Sequence, residues 1–235
     1  MSSRSGTIGR SRTTSRRFDP TPVSVAPEPA TGHRPPFRVA PVVLAGSAVR
    51  LEPLRVEHAS ALFAAGAGEP GIWTYLGRPA PRTADDLADY LSFAIEEQVA
   101  GRHLPWLTRS GLDGRAVGTT RYAHIDPANR SVEIGWTMLV GDARRTAINT
   151  EAKLLQLRHA FDTLGALRVW LQTDERNARS RAAILRIGAR FEGVHRRDRL
   201  LHDGSVRSSA IYAITDQEWP DVAVGLERML GRVVS

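Results

Sequence analysis

The sequence predicts an α+β domain: a mixed, mostly antiparallel twisted sheet with one parallel crossover, flanked by helices. Three observations lead there. Strand-like and helix-like segments alternate from Val42 onward. Asp113-Gly114, Pro127-Ala128-Asn129 and Asp203-Gly204 supply turn chemistry between strand candidates, which favours antiparallel neighbours. Residues 131–173 read as strand–helix–strand, which closes into a right-handed parallel unit.

The elements follow in order. Val49–Leu54 alternates like a short strand, and 56–65 reads as a helix. Thr83-Ala84-Asp85-Asp86 is a capped start for a helix with Leu87, Leu91 and Ile95 at helical spacing, ending near Gly101. Strands are expected at 104–109, 116–125 and 131–139. A helix follows at 149–164, with Leu154, Leu157, Phe161 and Leu164 on one side and Gly165 as its stop. A strand over Leu167–Thr173 leads to a helix over Asn177–Ile187, capped by Asn177 and closed by Gly188. A hairpin over 190–201 and 206–214 and a short helix over 216–230 complete the chain. No internal repeat is visible.

Length and composition bound the function. The 235 residues suit one domain with a tail, and 42% apolar against 24% charged residues is a globular balance. No apolar run reaches the ~20 residues that span a bilayer, so no membrane association is expected. The absence of Cys removes disulfides, thiolate nucleophiles and Cys-based metal sites.

Residues 1–41 are rich in Arg, Ser, Thr and Pro without apolar periodicity, and are expected to form a disordered tail before a single domain at 42–235. Seven arginines against Asp19 and Glu28 give residues 1–38 a net charge of +5, out of +7 for the chain. The basic character therefore sits in the tail, and a nucleic-acid platform on the folded part is not expected. Arg16-Arg17-Phe18 lacks the apolar stretch of a twin-arginine signal, since Asp19-Pro20-Thr21-Pro22 follows, and a cytoplasmic address is the expectation.

Several motifs are set aside. Gly66-Ala67-Gly68-Glu69-Pro70-Gly71 spells a dinucleotide fingerprint but follows a helical stretch, and Pro70 sits where that motif needs helix. The seven His show no metal-ligand spacing, so no metal is expected, and no G-x-S-x-G elbow exists.

Two segments carry chemistry. In Val132–Ala152 a strand ends near Met138, Leu139 and Val140, a basic turn with Arg144 and Arg145 follows, and a helix begins near Thr146, Ala147, Asn149 and Thr150. A helix start presents unpaired N–H groups and a positive dipole end, and two arginines beside it make a seat for a pyrophosphate. In Thr173–Gly193 a strand again leads through a loop to a capped helix, with Asn177 at the cap and Ser180 in the first turn.

From about Val49 to Trp219, roughly 170 residues, the chain resembles the GNAT superfamily of acetyl-CoA-dependent N-acetyltransferases, and within it the branch of ribosomal-protein N-terminal (alanine/serine) acetyltransferases. The resemblance rests on the loop from Arg144 to Ala152, on Asn177 with Ser180, and on Gly188-Ala189-Arg190-Phe191-Glu192-Gly193. Ala147 and Asn149 stand where the family usually has glycine or alanine, and the frequent family tyrosine falls near Ile184 and is missing.

The resemblance implies a GNAT-like fold and transfer of an acetyl group from acetyl-CoA to a primary amine, a protein N-terminus or a small molecule, by direct attack. It implies that Met138, Leu139 and Val140 pair with the pantetheine arm, that Arg144, Arg145, Thr146, Ala147 and Asn149 hold the pyrophosphate beside Thr150 and Asn177, and that Ser180 protonates the departing thiolate. Glu133, on the strand beside the cleft, is the expected base. An α-amino group is neutral in ~10–20% of molecules at pH 7 and a lysine amine in well under ~0.1%, so a weak base suits an α-amino acceptor. The rival reading is a non-catalytic GNAT-fold module that binds coenzyme A or a protein partner. A homodimer is compatible with either.

Overall fold

The computed structural model describes residues 36–231. An eight-stranded sheet runs through them in the order β1-β2-β3-β4-β5-β6-β8-β7. The strands are β1 (Leu44–Ala45), β2 (Val49–Pro53), β3 (Leu104–Ser110), β4 (Ala116–Asp126), β5 (Ser131–Leu139), β6 (Arg168–Asp174), β7 (Arg190–Leu200) and β8 (Val206–Thr215). Every neighbouring pair is antiparallel except β5 and β6, which are parallel. The expected crossover is therefore present, and the mixed sheet flanked by helices is the predicted architecture.

The helices are α1 (His58–Leu62), α2 (Pro70–Trp73), α3 (Ala84–Val99), α4 (Ala147–Arg158), α5 (Ala178–Arg186) and α6 (Trp219–Met229). They lie on both faces. Arg121 donates from β4 to the Tyr90 hydroxyl on α3 at 3.0 Å. Its neighbour Tyr122 points to the opposite face, where its hydroxyl donates to the Gln156 carbonyl of α4. This is the period-2 alternation of a strand buried on both sides. Trp106 packs edge-to-face on Tyr122 with ring centroids 4.9 Å apart, and both are fully buried.

Capping chemistry sets the helix starts. Thr83 and Asp86 form the expected capping box of α3. Asn177 caps α5, its Oδ1 accepting the Ser180 N–H at 3.0 Å. α4 begins at Ala147, two residues earlier than expected, because the Thr146 side chain accepts the Ile148 N–H and caps it. Asn149 therefore sits in the first turn instead of at a cap. Past Arg158 the helix widens into a π-helical turn over His159–Thr163. The helix expected over 56–65 likewise splits into α1 and a π segment, Phe63–Ala67, in which Gly66 takes φ 102°.

Two short elements, β1 and α2, fall where the sequence assigned no element. β1 is held in place by Glu151 of α4, whose buried carboxylate accepts the backbone N–H groups of Ser47, Ala48 and Val49. Gly46 is required there, because a Cβ would lie 2.3 Å from the Glu151 carboxyl carbon. Most of the expected tail lies outside the described residues. Residues 36–41 are coil, and Phe37 and Val39 pack partly buried against the core, so packing with the domain begins before residue 42.

The register creates an opening. β5 and β6 pair only through Ser131↔Arg168, Val132↔Val169 and Glu133↔Trp170. Beyond these, β5 continues to Leu139 and β6 to Asp174 without pairing, so the two strands splay. On the other side of β5, the pairing with β4 shifts by one residue between Thr119↔Met138 and Arg121↔Gly135, a bulge at which Trp136 takes φ 53°.

Candidate active site

The splay opens into a cavity of about 500 Å³. It runs from the α4 start, past the free half of β5, to the far end of the β7–β8 hairpin. Of the residues expected to form the site, Glu133, Met138, Leu139, Arg144, Arg145, Thr146, Asn149, Asn177 and Ser180 line it. Val140, Ala147 and Thr150 do not. Val140 is fully buried and its N–H donates to the Val117 carbonyl at 2.9 Å, so it has no group to offer a ligand in the splay. Ala147 is exposed, and Thr150 is buried one residue round the helix from Asn149.

The Val140 bond fixes the orientation of its neighbour. Alternation along an antiparallel ladder turns the Leu139 N–H and carbonyl away from β4, toward the opening. The Leu139 carbonyl accepts from Arg144 Nε at 2.9 Å, and Arg144 also reaches Glu69 at 3.4 Å. Arg144 thus clasps the end of β5. Arg145, exposed and at φ 61°, is left beside the α4 start with Thr146 and Asn149. That end of the cavity combines a formal positive charge with the dipole of a twelve-residue helix, chemistry that suits a pyrophosphate.

At the other end, Glu133 is 2% exposed, on the face of β5 that looks away from α4. Its Oε2 lies 2.6 Å from His124 Nδ1 and accepts from Gln172 Nε2 at 3.2 Å. His124 reaches it from a second bulge, where β4 shifts register between Ala123 and Asp126 and His124 takes φ 45°. The hydrogen bond to Glu133 raises the His124 pKa above its ordinary value, against the opposing effects of burial and of the Arg199 charge. A Cβ on Gly135 would sit 2.5 Å from Glu133 Oε1, so the glycine leaves room for the carboxylate.

Residues that the sequence reading passed over complete the site. Lys153, the sole lysine of the chain, lines the cavity and is 5% exposed. Its ammonium donates to Thr120 Oγ1 at 3.1 Å, Thr137 Oγ1 at 2.9 Å and Gln156 Oε1 at 3.1 Å. Burial among these neutral acceptors lowers its pKa to about 7. Its signal was positional: Lys153 lies four residues after Asn149, on the same helix face. Arg199 and Arg207 also line the cavity, from facing positions on the hairpin. The hairpin closes through three residues, His202-Asp203-Gly204, with the Leu201 N–H donating to the Ser205 carbonyl and Gly204 at φ 79°; a two-residue Asp203-Gly204 turn would pair Arg199 with Ser208 instead.

Residues 48–190 match the acetyltransferase (GNAT) domain family, more than half of the chain. The chain belongs to the GNAT family. Among solved structures, it is 30% identical to a GCN5-related N-acetyltransferase from Brucella melitensis, covering 84% of this chain and 88% of that one with a TM-score of 0.77. It is 26% identical to Mycobacterium smegmatis RimJ in complex with CoA-disulfide, over 82% and 94% of the two chains, at a TM-score of 0.66. The microcin C7 self-immunity acetyltransferase MccE, in complex with acetyl-CoA and AMP, shares the fold at 19% identity and a TM-score of 0.64, over 72% and 93%. No curated protein sequence matched.

This GNAT protein is an acetyl-CoA-dependent acetyltransferase. Among the described residues no helix is long and apolar enough to cross a membrane, and no group of three or more His, Cys, Asp or Glu is placed to hold a metal ion.

Proposed function

We propose that the acceptor is a primary amine, a protein N-terminus or a small molecule, and that it attacks the acetyl-CoA thioester directly at the β5–β6 splay. The observation that carries this reading is the arrangement of one cavity: an anion seat at Arg145, Thr146 and Asn149, a free strand edge at Leu139, and the buried Glu133 carboxylate beyond it.

Each residue then has a task. Arg145 and the first turn of α4 bind the pyrophosphate. The Leu139 N–H, unused by β4, bonds the pantetheine arm. Glu133 accepts the proton of the attacking amine, with His124 and Gln172 fixing the orientation of its carboxylate. The new N–C bond forms as the C–S bond breaks, and Ser180, lining the same cavity, delivers a proton to sulfur so that coenzyme A leaves as a free thiol. Asn177 holds Ser180 through its backbone N–H. The reaction calls on no metal and no covalent enzyme intermediate, and the domain is proposed to work in the cytoplasm without a nucleic-acid or membrane partner.

Thiol release with a panel of amines tests the reading. Turnover of at least one amine is expected, with kcat reduced about 10²–10⁴-fold in Glu133→Gln. Full turnover in that variant across pH removes Glu133 from its role.

A further inference from the structure

The acceptor end of the cavity holds an arrangement that acetyl transfer itself does not require. Arg199 on β7 and Arg207 on β8 face each other directly across the antiparallel ladder. Facing residues place their Cβ atoms about 4.5–5.5 Å apart, and like charges in such a pair repel. Arg207 is only 7% exposed, and its Nε donates to Ser209 Oγ at 3.0 Å. Among the described residues no carboxylate lies within ion-pair distance of it.

The acids nearby are engaged elsewhere. Asp174 accepts from the Arg176 backbone N–H and from its guanidinium Nε and Nη2, at 2.8–2.9 Å. Glu133 is held by His124 and Gln172. Asp198 approaches Arg199 only to 4.0 Å. A buried guanidinium with one neutral acceptor, opposed by a second guanidinium, is costly unless an anion joins it.

The geometry also aims the pair. The sheet registers put Glu133, Gln172, Asp174, Ser209 and Arg207 on one face. The Arg207 bond to Ser209 folds its side chain back along β8, toward the level of Gln172. At longer range its charge is felt by Asp174, Asp198 and Glu133, and that of Arg199 by His124. Leu201, at the end of the hairpin, lies 3.6 Å from the position a Cβ would take on Gly77, so the loop bearing the cavity residues Tyr75 and Leu76 meets the hairpin there.

We propose that Arg199 and Arg207 bind an anionic group, carboxylate or phosphate, of the acceptor amine. The inference rests on the acyl-transfer reading for the identity of the ligand and adds the acceptor's charge. Planar guanidinium forks match both anions, and a group held there leaves the amine of the same molecule to meet Glu133.

The test uses the full chain saturated with coenzyme A. An N-acetylated amino acid, its neutral amide, and an N-acetylated aminoalkyl phosphate are titrated by calorimetry, so turnover is not needed. The charged probes are expected to bind at least about tenfold more tightly than the amide, and their ranking distinguishes carboxylate from phosphate. Arg207→Gln, and the partly exposed Arg199→Gln as a milder variant, are expected to abolish that preference with coenzyme A affinity unchanged. Equal affinity for charged and neutral probes overturns the proposal. So does a preference that survives both substitutions, or a loss that falls on coenzyme A. Thiol release is followed separately: its absence with every amine overturns the acyl-transfer reading, while the binding comparison still judges the anion site.

Discussion

The Glu133 carboxylate lies 2.6 Å from the His124 imidazole, and the two come from bulged, adjacent strands. Glu133 is buried while His124 is about half exposed, so the imidazole is the more solvent-exposed member of the pair. The bond raises the His124 pKa. A histidine whose folded pKa is raised stabilises the fold fully below its unfolded value, ~6.5, and loses that contribution as pH rises through the folded value. In Glu133→Gln the His124 midpoint is therefore expected to fall, read by NMR titration of the imidazole. An unmoved midpoint contradicts the pairing.

Gly135 gives a companion test. Gly135→Ala forces its Cβ against Glu133, displacing the carboxylate without touching the anion seat. The expected result is a drop of about tenfold or more in kcat with acetyl-CoA affinity retained. Unchanged kcat would show that the carboxylate's position is unimportant.

Lys153 should make stability depend on alkaline pH. Its pKa of about 7, set by burial, means that the unfolded chain binds the extra proton between pH 7 and about 10. Stability is therefore expected to rise with pH in that window, by up to about 1.4 kcal/mol per pH unit for one proton. Urea unfolding of the wild type and of Lys153→Met should differ by this slope. Identical slopes would mean that the amine is not held neutral.

His103 acts on the acid side. Burial, assisted by the Arg121 charge, lowers its pKa to about 4. Between pH ~6.5 and 4 the unfolded chain takes up a proton that the folded one refuses, so stability falls as pH falls, by on the order of 2 kcal/mol across the window. In His103→Gln this part of the acid loss is expected to disappear from urea midpoints measured at pH 7 and pH 4.5.

Glu151 is a structural counterpart. It accepts three backbone N–H groups of the β1–β2 turn. Glu151→Ala strands these donors and is expected to cost about 2–4 kcal/mol in unfolding free energy. A loss below about 0.5 kcal/mol would contradict the anchoring.

Local chemistry was legible in the sequence. β5 runs over 131–139 as expected, and Thr83 and Asn177 cap the helices they were expected to cap. Glu133 was identified as a base candidate by its place on the strand beside the cleft. Its partners were not, because His124 and Gln172 reach it through a bulge and across a neighbouring strand. Bulges at Trp136 and His124 leave no period of their own, and positive φ at a non-glycine residue has no reliable sequence mark. β1 has two residues, too few for alternation to show, and depends on Glu151 more than a hundred positions away. The α4 start was placed late because Asn149 and Thr146 are both cap-forming types, and only tertiary packing selects between them.

In the proposed reaction acetyl-CoA seats its pyrophosphate on Arg145 and the start of α4. Calorimetric titration of acetyl-CoA into the wild type and Arg145→Glu decides this. Saturable one-site binding, weakened about tenfold or more by the charge reversal, is the predicted result. Absence of saturable heat from folded wild-type protein, or equal affinity in the two, would contradict it.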